Sequence, residues 1–130
     1  MAKIKGLISP KEAKKLSDNF TSRCELISKS IVGKPDNRSS WWSLEDIKAY
    51  LEHAEKQARE LGYEMNGIRV YCGAHEAQDG KPGYSTSFIV PTTRIIDGKD
   101  GGGGNGDIPD GDGLNRGHDG SPPGSGYPQQ

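Results

Sequence analysis

The chain has 130 residues, and its seventeen Lys/Arg against eighteen Asp/Glu leave a formal net charge of −1, without the strongly basic footprint of a nucleic-acid binder. No stretch approaches the roughly twenty apolar residues that span a bilayer, and Met1–Ile8 has no long apolar run of the secretory kind. Cys24 and Cys72 lie far apart in regular-looking segments and read as reduced thiols, so the expected compartment is the cytoplasm.

Ser9-Pro10-Lys11-Glu12 opens the first element with three agreeing signals: a cap, a proline suited to the first helical position, and a glutamate placed for a capping box. Ala13, Leu16, Phe20, Cys24, Ile27 and Ile31 then recur at helical spacing, and Gly33-Lys34-Pro35 stops the pattern. The expectation is a helix over 10–32 with that stripe buried. Residues 35–40 are polar and lead into Trp41-Trp42. Adjacent residues of an extended segment point to opposite sides, so one Trp is expected in the core and the other outside. Ser43-Leu44-Glu45-Asp46 caps a second helix over 44–61, whose buried face is Ile47, Tyr50, Leu51, Ala54, Ala58 and Leu61.

Ile68–Cys72 and Ser85–Val90 alternate with period two, and Asp79–Gly83 between them is dense in turn formers. An antiparallel hairpin with a loop at 73–84 follows, and Pro91 closes its second strand or marks it as an edge. The dry side is read as Ile68, Val70, Cys72 and Phe88, with Arg69, Tyr71, Ser85 and Ser87 on the wet side. A lone hairpin is marginal in water. A third strand is therefore sought in 5–8, in 93–96 or in a second copy of the chain. Beyond Asp97 come twelve of the nineteen glycines and only Ile108, Leu114 and Tyr127 from the apolar set. So little apolar surface does not offset the entropy of ordering such glycines. The expected architecture is α+β: two helices packed on an antiparallel β-hairpin over 1–97, in the order α-α-β-β, then a disordered or loosely docked Gly/Pro/Asp-rich tail over 98–130.

Several residue sets have the chemistry of a site. Arg69 and Tyr71, with Ser87 and with His75 at the loop end, suit a carboxylate or phosphate, and Arg38 can approach from the helical side. Trp41 and Trp42 are candidate hot spots for a partner, and Tyr127 is a candidate anchor in a proline-bearing tail. Cys72 and His75, with Cys24 and His53, have ligand types for zinc. Both cysteines fall on apolar stripes, so buried thiols are the preferred reading and neither metal nor cofactor is expected. Asp107, Asp110 and Asp112 offer oxygens at short spacing but lack the closing glutamate of a calcium loop.

The string from Asp36 through Trp41-Trp42-Ser43-Leu44-Glu45-Asp46-Ile47-Lys48-Ala49-Tyr50-Leu51 is similar to small uncharacterised proteins of Bacteroidota bacteria. So are Gly67–Ala74, Gly83–Thr92 and the Pro122-Pro123 to Pro128-Gln129 ending. The resemblance spans most of the chain and implies a cytoplasmic bacterial protein, with no activity or site residue attached. The residues lack a convergent acid, base and nucleophile. The favoured function is a non-catalytic protein-interaction module in which Trp41, Trp42, Arg69 and Tyr71 contact a protein partner and the C-terminal tail adds a second, extended contact, with self-association through a strand edge also open. The alternative is a small anionic-ligand or nucleotide-binding protein, catalytic or not, using the Arg69/Tyr71 face.

Overall fold

A computed structural model describes residues 4–95, 104–119 and 124–129, with His118 and Asp119 as backbone alone. Residues 96–103 and 120–123, including Pro122-Pro123, lie outside the described residues. The class is α+β, with two helices and a three-stranded antiparallel sheet.

Helix α1 spans Pro10–Ile27, and both halves of its capping box form: Glu12 N donates to Ser9 Oγ at 3.1 Å, and Ser9 N to Glu12 Oε1 at 3.4 Å. A π-helical turn, Ser28–Val32, continues it to Gly33, whose φ of 83° is the left-handed conformation that glycine adopts most readily. The expected span of 10–32 therefore stands, with its last turn wider than α. Its burial does not. Of the apolar stripe only Cys24 is buried, while Leu16, Phe20 and Ile31 are exposed. The reason is packing: α1 rests on the 33–40 connection and residues 124–129, through Arg38 and Ser17, and neither brings a wide apolar surface.

Helix α2 spans Leu44–Glu60, with Asp46 N donating to Ser43 Oγ at 2.9 Å. It supplies the core: Tyr50, Ala54 and Ala58 are buried, and Ile89 joins Tyr50 and Ala54 in a cluster surrounded by Trp42, Ile47, Met65 and Leu114. Leu51 and Leu61, expected inside, are 38 % and 40 % exposed. No helix among the described residues is long and apolar enough to cross a membrane.

A short ladder joins strand β1, Ser40–Trp41, to β5, His118–Asp119. The main sheet has the order β2-β3-β4, from Met65–Ala74, Ser85–Arg94 and Asn105–Asp107. Its third strand comes from the Gly-rich segment and not from 5–8 or 93–96; Thr93 and Arg94 belong to β3 itself. Residues 104–119 are thus part of the folded body. Ile108 is 5 % exposed, and Leu114 and Ile89 exchange two backbone hydrogen bonds at 2.8 and 2.9 Å. The segment compensates for its few apolar side chains with backbone pairing and polar clamps. Pro91 does not end β3 either. It sits in the central strand, buried, where its missing N–H faces the start of the excursion after β4, and its carbonyl accepts from Ile108 N at 3.0 Å.

The register corrects the expected faces. Val70 lies opposite Ile89 and Cys72 opposite Ser87, whereas Arg69 lies opposite Val90 and Tyr71 opposite Phe88. Phe88 therefore shares the side of Arg69 and Tyr71, and Ser87 does not. Ile68, Val70 and Cys72 were expected to be dry. Ile68 is 45 % and Val70 60 % exposed, and Cys72 is exposed as a free thiol. Helix α2 explains this, because its polar contacts reach β3 and the 108–115 segment: Tyr50 to Ile89 and Asp112, Gln57 to Asp112. It packs on Ile89 of β3 and on Met65 at the start of β2, while Ile68 and Val70 on that same face stay exposed.

Candidate functional site

The candidate residues fall into separate places. Arg69 and Tyr71 come together on Asp107 of β4. The guanidinium donates to Asp107 Oδ1 at 2.6 Å and to the Asn105 carbonyl at 2.7 Å, and the phenol donates to Asp107 Oδ2. Alternation along β2 puts both side chains on one face, and antiparallel pairing through β3 brings Asp107 to them. Tyr71 also stacks on Phe88, ring centroids 5.3 Å apart. The hydrogen bond from Tyr71, then that from Arg69, holds Asp107 below the usual carboxylate range. The same carboxylate raises the phenol of Tyr71 and the guanidinium of Arg69 above their ordinary values. An anionic ligand on this face would have to replace Asp107 as acceptor. The trio is a clamp on β4.

Ser87 and His75 lie elsewhere. The Ser87 carbonyl accepts from Asn115 Nδ2 at 2.7 Å, and its residue lines a small cavity of about 260 Å³ with Cys72, Asp36 and Arg38. His75 borders the 75–84 loop beside Lys34 and Tyr84, where Lys34 Nζ sits 4.8 Å from the tyrosine ring centre.

Arg38, Trp41 and Tyr127 do converge. They line a cleft of about 630 Å³ with Leu16, Phe20 and Pro128. Arg38 is held in place: its Nη2 donates to the Ser17 carbonyl at 2.5 Å, Nη1 to Thr21 Oγ1 at 3.1 Å, and its guanidinium lies 5.6 Å from the Phe20 ring centre. Tyr127 N donates to Ser17 Oγ at 3.1 Å and Gln129 Nε2 to Ser39 Oγ at 2.9 Å, which fixes the 124–129 segment along α1. Trp41 and Trp42 diverge, as neighbours on an extended segment do. Trp42 packs on the core with its indole N–H on the Asn115 carbonyl, while Trp41 is 60 % exposed.

Asp36, Asp107 and Asp112 hold these places together by hydrogen bonds across the chain. Asp36 is 1 % exposed and accepts from both the amide (2.7 Å) and the hydroxyl of Ser85, and its own amide donates to Ser28 Oγ at 2.9 Å. Asp112 takes hydrogen bonds from His53 (3.0 Å) and Gln57 (3.1 Å), which hold its carboxyl below the ordinary range. Asp107 and Asp112 had drawn notice only as parts of an incomplete calcium loop. Their sequence signal, acids beside turn glycines, gave no indication of their partners some forty to sixty residues earlier.

No family model, curated protein or solved structure matches this chain.

Proposed function

We propose that the chain is a non-catalytic, cytoplasmic protein-interaction module, bacterial as the resemblance to the Bacteroidota group implies. The observation that carries this reading is Trp41, 60 % exposed, beside Leu16 at 61 % and Tyr127 at 44 % around one cleft. Trp, Tyr and Arg side chains are the anchors from which protein interfaces draw most of their energy, and Trp41, Tyr127 and Arg38 all line this cleft. The cleft floor is rigid, since Arg38 is tied to Ser17 and Thr21. The partner would be a protein segment presenting apolar side chains to Leu16 and Trp41 and reaching polar groups at the 38–40 rim. Both cysteines are free thiols, which supports a reducing compartment.

The test is affinity capture with the full chain, with Trp41→Ala, and with a chain ending at 123. A discrete protein held by the full chain and lost with Trp41→Ala, the fold remaining intact by circular dichroism, is the expected result. Capture of nothing by the full chain, or capture indifferent to Trp41, would overturn the reading.

A further inference from the structure

The open edge of β2 is a different surface from the α1 cleft. His75 N donates to the Tyr84 carbonyl at 2.9 Å, which makes His75 and Tyr84 a hydrogen-bonded pair of the β2–β3 ladder. Because antiparallel pairing alternates, Gly73, Tyr71 and Arg69 also direct their amides and carbonyls inward to β3. The amides and carbonyls of Ile68, Val70, Cys72 and Ala74 point outward. β2 is the terminal strand of the sheet, and no described residue pairs with that side of it.

Protein sheets ordinarily blunt such an edge with lysine, proline, a short strand or a bulge. β2 is ten residues long and contains neither lysine nor proline, and its bulge, between Met65 and Gly67, leaves the rest regular. The side chains on the outward-directed positions are apolar and wet, with Ile68 at 45 %, Val70 at 60 % and Cys72 exposed. Unpaired backbone and a contiguous apolar row coincide on the same residues.

We infer that β2 pairs antiparallel with β2 of a second copy of this chain about a two-fold axis at Val70, giving one continuous six-stranded sheet. A second copy fits because it offers the same parity, the same length and the same apolar row. With Val70 opposite Val70 of the other copy, Ile68 lies opposite Cys72, and the two wet rows meet flank to flank on one face of the joined sheet. Charge agrees as well. Arg69 lies opposite Tyr71 of the other copy, so no like charges oppose, and Arg69 is already neutralised by Asp107 of its own chain. A formal net charge of −1 gives two copies little mutual repulsion.

Sedimentation velocity of the full chain over roughly a hundredfold range of concentration should show a monomer giving way to a dimer. Val70→Lys sets two ammonium groups against each other on a solvated site. It should weaken association by about tenfold or more while far-UV circular dichroism stays unchanged. Hydrogen exchange of the unmodified chain gives a second reading: the amides of Ile68, Val70 and Cys72 should gain protection with concentration, and those of Arg69 and Tyr71 should not. A chain that stays monomeric throughout overturns the inference. So does a dimer that survives Val70→Lys, or one abolished by Trp41→Ala instead, which would place the contact on the α1 cleft.

Discussion

Replacing Ile108 by alanine tests whether the Gly-rich segment belongs to the folded body. Ile108 is 5 % exposed, its amide is bound to the Pro91 carbonyl, and its own carbonyl accepts from Gly111 N at 3.1 Å. The truncation removes the ethyl and γ-methyl carbons, worth about 2.4 kcal/mol at roughly 0.8 kcal/mol per buried carbon. A cavity term raises this where the walls cannot collapse, and Ile→Ala changes in cores span about 2–5 kcal/mol. The neighbours here are a proline ring and a tight glycine turn, so the expected loss is about 2.5–3.5 kcal/mol. That is a large share of a stability on the order of 5–15 kcal/mol. Urea titration followed by tryptophan fluorescence is the assay, since Trp42 is tied to Asn115 and reports undocking of the same segment. The midpoint should fall with little change in slope. A loss under about 0.5 kcal/mol, well below the transfer term alone, would refute the placement of Ile108 in the core.

Gly111→Ala should destabilise as well, because a Cβ there would meet Pro91 Cγ at 2.9 Å and the Ile108 carbonyl at 3.3 Å; the urea midpoint should drop, and an unchanged midpoint would contradict that close approach. Asp107 and Asp112 both titrate below their ordinary 3.8 in the folded chain. The stability they contribute is present above that value and lost as pH falls through it toward the folded pKa values, so acid unfolding should be shallower in Asp107→Asn, Asp112→Asn than in the unmodified chain. Burial, then the Asp112 carboxylate, pushes the Tyr50 phenol up to about 12. Its contribution is present below the ordinary value of 10 and lost as pH rises from there toward 12. Tyr50→Phe should remove that alkaline loss. At neutral pH it should cost about 1–2 kcal/mol for the bond to the Asp112 carbonyl, measurable by thermal unfolding at pH 7 and pH 10.5.

The helices were legible because their ends carry local chemistry. Ser9 with Glu12, Ser43 with Asp46 and Gly33 each act within a few residues of themselves, and the structure places them as read. The strands were legible as strands, from period two. Which side of them is dry was not, because alternation defines two faces and is silent about which one a helix covers. Assigning Phe88 to the side of Val70 was a register error of one residue, and a slip of one moves every side chain to the other face. The third strand was missed for a compositional reason. Asn105-Gly106-Asp107 has no apolar pattern, and its place is set by Arg69 and Tyr71 on Asp107 and by Asn66 on Asn105. The cleft residues Arg38, Trp41 and Tyr127 were each legible as candidates by type, but their meeting depends on the 124–129 segment crossing α1.

The closing strand has a consequence for biosynthesis. Tyr50, Ile89 and Pro91 acquire their cover from Ile108, Asp112 and Leu114, so a nascent chain halted at residue 100 would expose both the far edge of β3 and the apolar side of α2. Unpaired strand edges and exposed apolar surface of that kind promote aggregation, so a chain cut at residue 100 should aggregate at concentrations where the full chain does not.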